Sequence, residues 1–402
     1  ERFICKNMEL FKTSNLLKYS VALWLLLHTL YFLLSECVFI NFKSIPWALV
    51  TFFIVFIALY FNKLSPPSRG DLEEVFGIYR NNGLQQKLTA LQEKLINAVP
   101  VVAHRGASID SPENTISAFR SCKNKGCNMV QFDVSMTRDG VAVLIHEETL
   151  ERITNLHKRA QDMTYAEMRN LRLNDSSGNK DIPSAERIAT LEEAVQECLS
   201  LKLHCIMNIR TNTTKAAAKL IETFHRSPAL FKTAMVASFN PLFIYQVRRA
   251  DPRIVCALSW RPFVLTYTMF DGIRGPSIRR NSEWWRHLLA LLADYFLSWM
   301  FKHCLWHFLG ISVVLVHKDV LTADLIRHFN EHNVSVIGWT VNSTLEKTYL
   351  LDVLQVPYMT DTLSSDVALD NKRRRGTVSG GMGSEARFQL SNHPGESLYS
   401  FN

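Results

Sequence analysis

A set of polar side chains falls where short apolar runs end. His104 and Arg105 close "VPVVAHRG", Gln131 and Asp133 sit two apart in "MVQFDVSMT", His146 closes "VAVLIHE", and Asn208 and Arg210 close "LHCIMNIR". Two histidines can serve as general acid and general base. Asp133 can hold a hard cation, and arginines suit an anionic phosphate. Each residue alone has a plainer reading. A lone histidine at a strand end is more often structural, Asp133 could simply pair with Arg105 or Arg210, and Glu113 in "SPENT" could be first-turn helix chemistry around Thr115. Taken together they read as a functional, or formerly functional, site.

Such a site needs elements that bring the run ends together. Eight apolar runs, the four above with "TAMVASF", "IVCALSW", "ISVVLVHK" and "SVIGWTVN", are strand candidates. Segments of helical period lie between most of them, for instance "NTISAFRSCKNKG" and "TLEEAVQECLSLK". This alternation predicts an α/β fold, a TIM (β/α)8 barrel, over residues 97–370, in which reactive groups gather at the C-terminal strand ends. In a strand, residues 131 and 133 point to the same side. The link "RDG" between the second and third runs is too short for a crossover helix, so a strict barrel needs an irregular connection there.

Around the barrel the composition changes. Residues 1–62 contain "YSVALWLLLHTLYFLLSECVF" and "IPWALVTFFIVFIALYF", which predict a transmembrane helical hairpin. A linker, 63–96, follows, with Pro66 and Pro67 as helix stops. Residues 155–187 form a polar insertion expected over the barrel mouth. Residues 284–309 are strongly apolar but contain Asp294, Lys302, His303 and His307, so an amphipathic, membrane-touching helix is preferred to a third span. Residues 371–402 are polar and aperiodic and are expected to be disordered. The chain of 402 residues carries a net charge of +8, which favours anionic partners only weakly. No nucleic-acid-binding motif occurs, and the eight cysteines include no CxxC pair, so neither nucleic acid nor zinc is expected.

The stretches "AHRGASIDSPENTISAF", "FDVSMTRDGVAVLIHEETLERIT" and "GWTVN…YMTDT" resemble the glycerophosphodiester phosphodiesterase family over residues 100–366, nearest to its animal membrane-bound type-1 subfamily. The resemblance implies a TIM barrel, a divalent cation (Mg2+ or Ca2+), and cleavage of glycerophosphodiesters or lysophospholipids, often through a cyclic phosphate. His104 and His146 match the family's acid/base pair. Arg105, Glu113, Arg210 and Trp339 fall on substrate-binding positions, and Gln131, Asp133 and Asn208 on the metal triad.

The departures from that pattern bear on charge. The family has Glu where Gln131 stands and Glu or Asp where Asn208 stands. Its "HD" is His146–Glu147 here, and a family Lys is Arg210. Both amides keep an oxygen and lose a negative charge, so cation affinity must fall.

Two readings follow: a membrane-anchored, metal-assisted phosphodiesterase, or a catalytically impaired phosphate- or lipid-binding pseudoenzyme with a regulatory or interaction role. Both expect membrane lipids as partners. Basic residues before the first apolar run place the barrel in the cytosol by the positive-inside rule. The resemblance favours a lumenal or extracellular barrel in the endomembrane system or plasma membrane. Sequons at Asn174, Asn212, Asn333 and Asn342 are compatible with that, although Asn342 ends a barrel strand and its sequon is read as idle.

Overall fold

A computed structural model describes residues 60–77, 101–147, 149–154, 156–171, 173, 186–271 and 275–364, with scattered helical positions between 24 and 57. The proposed membrane hairpin therefore lies largely outside the described residues. The expected disordered tail, residues 371–402, lies wholly outside them.

The main sheet contains strands β1 (Val101–His104), β2 (Met129–Met136), β3 (Ala142–Leu144), β4 (His204–Ile209), β5 (Ala234–Ser238) and β6 (Cys256–Trp260). A small hairpin, β7 (Phe270–Asp271) with β8 (Gly275–Pro276), precedes the last three sheet strands, β9 (Val313–His317), β10 (Ser335–Trp339) and β11 (Tyr358–Thr360). All strands of the main sheet but β3 run parallel. They close into an eight-stranded barrel because β1 pairs with both β11 and β2.

Two expectations are corrected here. The run "VAVLIHE" is not a stave: β3 folds back antiparallel on β2, with Val134 opposite Leu144. A parallel crossover needs a dozen or more residues, whereas a hairpin closes in a few. Gly140, at φ 81°, donates to the Thr137 carbonyl in the tight turn. The eighth stave is instead β11, whose three residues are too few to show a strand period.

Alternation along β2 explains why an apolar strand carries polar groups. Val130, Phe132, Val134 and Met136 face the outer layer, packed with Phe119 and Ala118 of the helix Ile116–Asn124. The Phe119 and Phe132 rings lie 5.4 Å apart, and burying each such side chain contributes about 1.5–3 kcal/mol. Met129, Gln131, Asp133 and Ser135 therefore face the barrel interior. At its lower end that interior is filled by Met129, Ile206, Met235, Val255, Val313 and Ile337. Within the stretch read as a linker, the helix Arg69–Val75 is started by Ser68 in a capping box with Asp71 and adds Leu72, Val75 and Phe76 to the same cluster.

Outer helices begin at recognisable caps: Thr115, Thr190, Thr213, Asn240 before Pro241, and Thr322 each accept a hydrogen bond from a first-turn N–H. The described part of the 155–187 insertion packs Ala160, Met163 and Met168 on Val143 and Ile145. Ala160 and Gln161 reach the rim of the barrel mouth. The apolar segment 284–309 is the crossover between β6 and β9, formed by the helix Trp284–Met300 and its continuation to Leu309.

Candidate functional site at the barrel mouth

A cavity of about 690 Å³ opens at the C-terminal strand ends. His104, Arg105, Gln131, Asp133, His146, Asn208, Arg210 and Trp339 all line it, so the structure brings together every predicted site residue but one. Glu113 stands behind the wall, paired with Arg105 at 3.3 Å and with Arg152 at 2.6 Å.

The predicted acid/base residues differ in their surroundings. His104 Nδ1 and Asp361 Oδ1 are 2.7 Å apart. Asp361 also accepts from Ser108 Oγ and from Asn342 Nδ2, each at 2.8 Å. Burial opposes ionisation of Asp361, but the hydrogen bond and charge of His104, with Asn342 and Ser108, hold its carboxyl well below the usual range. The ionised carboxylate accepts the Nδ1 proton, which leaves Nε2 as the exchangeable nitrogen of His104. Burial lowers the pKa of His146, although Asp133 acts in the opposite direction, and its Nδ1 has no hydrogen-bond partner. Arg210 Nε donates to the His146 carbonyl at 3.0 Å and so fixes that loop.

Asp133 is completely buried and surrounded by donors. Its Oδ1 accepts from Asn208 Nδ2 at 2.7 Å and Gln131 Nε2 at 3.3 Å. Its Oδ2 accepts from Asn114 Nδ2 at 3.4 Å and faces Arg105 Nε at 3.6 Å. Burial pushes this carboxyl up, but His146, then Arg105 and Arg210, outweigh it and hold Asp133 at about 2.

The resemblance raised the question of a divalent cation at Gln131, Asp133 and Asn208. Such a cation needs several oxygens directed at one point. Here both amides turn nitrogen toward Asp133, and Gln131 Oε1 is taken by the backbone N–H of Arg105 at 2.9 Å. Only Asn208 Oδ1 remains as a buried oxygen of the three residues without a partner. A reversed Asn208 amide would place oxygen against oxygen with no proton between them. Among the described residues no group of three His, Cys, Asp or Glu side chains could hold a metal ion. This donor set does not fit a divalent cation.

Several site residues escaped the sequence reading. Asn114, at φ 56°, also accepts from the Asp133 backbone N–H at 2.9 Å, locking the strand to the "PENT" turn. Asp361 follows β11 directly, and the strand-end rule would have found it had that short strand been recognised. Arg261 and Arg280 add guanidinium groups to the wall. Burial, then Arg280, pushes Arg261 down to about 10. Opposite the polar wall, Trp339 packs against His317 (4.6 Å between rings) and Phe239 (5.7 Å), giving an aromatic side.

A closed parallel barrel with two histidines and four arginines lining its mouth defines a TIM-barrel protein with a cationic cavity. The chain belongs to the glycerophosphoryl diester phosphodiesterase family, whose model matches residues 104–364. It is 35% identical over 273 residues to glycerophosphodiester phosphodiesterase 1 of Mus musculus, covering 67% of this chain and 80% of that relative. It is also 24% identical over 260 residues to the lysophospholipase D GDPD3 of Mus musculus, covering 61% and 73%. Among solved structures, an Oleispira antarctica phosphodiesterase in complex with the product sn-glycerol-3-phosphate aligns with a TM-score of 0.52 at 17% identity, covering 68% of this chain and 96% of that one. That likeness supports the fold alone.

Proposed function

We propose that this chain binds a glycerophosphodiester or lysophospholipid at the barrel mouth and cleaves its phosphodiester by proton transfer between His104 and His146. The observation that carries this reading is the placement of both histidines on one cavity that also presents Arg105, Arg210, Arg261 and Arg280. A phosphodiester is an anion, and guanidinium groups match its oxygens. His146, with its pKa lowered by burial, is the base: it removes the proton from the attacking hydroxyl, whether from substrate or water. His104, backed by Asp361, is the acid: it protonates the departing alkoxide from Nε2. The aromatic side formed by Trp339 and Phe239 receives the apolar part of the substrate.

A second reading, a phosphate- or lipid-binding protein with impaired catalysis, is favoured by one observation. The charge of Asp133 is already met by amide and guanidinium donors, so it draws in no divalent metal ion, and charge developing on the phosphate is left to the arginines alone. The two readings separate in one assay. Purified protein is given a glycerophosphodiester and a lysophospholipid, and release of glycerol 3-phosphate or the head-group alcohol is followed with chelator, Mg2+ or Ca2+. Slow turnover, unchanged by chelator and abolished in both His104→Ala and His146→Ala, is expected. No turnover with retained substrate binding establishes the second reading. Turnover that chelator abolishes and metal restores would sink the metal-free mechanism.

The membrane anchor and a lumenal or extracellular barrel belong to the same proposal. They rest on the apolar runs at residues 19–39 and 45–61 and on the sequons. Glycan on Asn174 or Asn212 would support that orientation, and modification of the barrel by a cytosol-confined labelling enzyme would contradict it.

A further inference from the structure

The crossover helix turns an apolar stripe outward. Trp284, Trp285, Leu288, Leu289, Leu292, Tyr295, Phe296 and Trp299 are all exposed. Their spacing of three and four residues puts them on one face. This reverses the usual pattern of a surface helix, and so large an apolar face marks an interaction site. By length and hydropathy, Trp284–Leu309 would pass as a membrane span.

Its attachments exclude that role. Asp294, only 2% exposed, accepts from Leu265 N at 3.0 Å, Thr266 N at 2.8 Å and Thr266 Oγ1 at 2.6 Å. Phe301, Leu305 and Leu309 belong to the barrel core, with Phe301 stacked on Trp260 at 4.7 Å. The helix also joins adjacent parallel staves β6 and β9, so both its ends stay on the barrel's side. Passing it through a bilayer would pull the barrel apart.

Three observations identify what covers the stripe. First, the chain leaving the apolar run 45–61 is tied to the far end of the crossover at Phe308 and to the neighbouring helix Pro241–Ala250. Asn62 accepts from Tyr245 Oη at 3.1 Å and from Arg249 at 3.0 Å, and Leu64 N donates to the Phe308 carbonyl at 3.0 Å. Second, the exposed charges on and just before the helix are mainly cationic: Arg279, Arg286 and Lys302 against Glu283. Third, tryptophan and tyrosine, which favour the headgroup level of a bilayer, recur along the stripe.

We propose that the outer face of residues 284–299 lies in the headgroup region of an anionic phospholipid bilayer, parallel to its surface, and holds the cavity mouth against the lipid. The mechanical link is made by residues 263–270 and 277–280. Phe263 packs on Tyr295 with rings 6.2 Å apart and Tyr267 on His287 at 5.5 Å, while Val264, Thr268, Met269 and Phe270 line the cavity. Leu265, Met269 and Ile278 are exposed in these stretches. The consequence, which rests on the phosphodiester reading above, is that a lipid with one acyl chain enters the cavity from the bilayer without crossing water.

The test uses the full chain in nanodiscs of phosphatidylcholine with or without phosphatidylserine, some carrying quencher-labelled lipids. Tryptophan fluorescence is compared for wild type and Trp284→Phe/Trp285→Phe, substitutions at exposed positions that keep the face apolar. A quencher near the headgroup is expected to reduce the Trp284/Trp285 signal more than one at the chain terminus, and phosphatidylserine is expected to enhance that difference. Arg279→Glu with Arg286→Glu is expected to remove the enhancement. Stronger quenching by the chain-terminal label would mean a span and overturn the proposal. So would an absence of quenching, whether the face is bare or covered by a second copy, which chemical cross-linking would reveal. The quenching needs no turnover, so an inactive protein that is still quenched retires the phosphodiesterase reading and leaves this one standing.

Discussion

Asn208 donates its amide to Asp133 Oδ1 at 2.7 Å, across the seam between β4 and β2 where the two residues are register partners. The bond is short and fully buried, and its direction is set by the carboxylate. An amide nitrogen here does locally what a cation would do, by meeting the charge of Asp133.

Introducing carboxylates should therefore reverse the logic of the site. Gln131→Glu with Asn208→Asp removes two donors and adds two charges beside a buried carboxylate. Without metal, the double variant is expected to lose about 3–5 kcal/mol of stability. Mg2+ or Ca2+ should raise its melting temperature and leave the wild type nearly unchanged, which thermal denaturation across metal concentrations will show. An equal rise in both proteins would mean that the wild type already holds the ion.

Asp361→Asn tests the partner of His104. Loss of the ionised carboxylate removes the group that orients the ring. Activity, where present, should fall about 10²-fold, the lower end of what acid/base groups contribute, with a larger effect on kcat than on KM. Asn342→Ala, which loosens Asp361 without removing its charge, should have a smaller effect.

The same carboxyls set an acid limit to stability. Asp133, at about 2, and Asp361, also depressed, have folded pKa values below the unfolded value of about 3.9. Their contribution is complete above that unfolded value and is lost as pH falls through the folded ones. A plot of melting temperature against pH should therefore drop below about pH 4. That drop should be shallower in Asp361→Asn, and an unchanged slope would refute the assignment.

Asn114→Ala should destabilise the protein by about 1–3 kcal/mol. It removes the acceptor for the Asp133 N–H and one donor to its carboxylate. It also places alanine at a left-handed φ that asparagine tolerates better. Denaturant titration measures this directly.

The sequon at Asn342 should carry no glycan. Its Nδ2 donates to Asp361 Oδ2, and its Oδ1 accepts from the Asp361 backbone N–H, both at 2.8 Å. Glycosylated peptide from this site in mass spectrometry would contradict the folded geometry.

Much of the site was legible because strand ends announce themselves. His104, Asp133, His146 and Asn208 each close or interrupt an apolar run, and such residues meet at the mouth of a barrel. The misreadings have local causes. "VAVLIHE" has the composition of a stave, but only the short turn through Gly140 decides its direction. "YMT" is a stave too short to show a period. Glu113 sits among the right residues, yet its side chain turns to Arg105 and Arg152 instead of the cavity.

By itself the sequence determined the α/β alternation, the placement of Gln131 and Asp133 on one side of their strand, and the uncharged amides that stand where the resemblance expects carboxylates. These follow from the two-residue period of a strand and from residue identity, which need no partner to be defined. Only the tertiary structure decided that Asp361 meets His104 from 257 positions away, that the amides face Asp133 with nitrogen, and that the apolar crossover helix is tied to the barrel through Asp294. The reason is physical: the direction of a hydrogen bond depends on what the closed ring of strands places opposite it, and no local pattern carries that information.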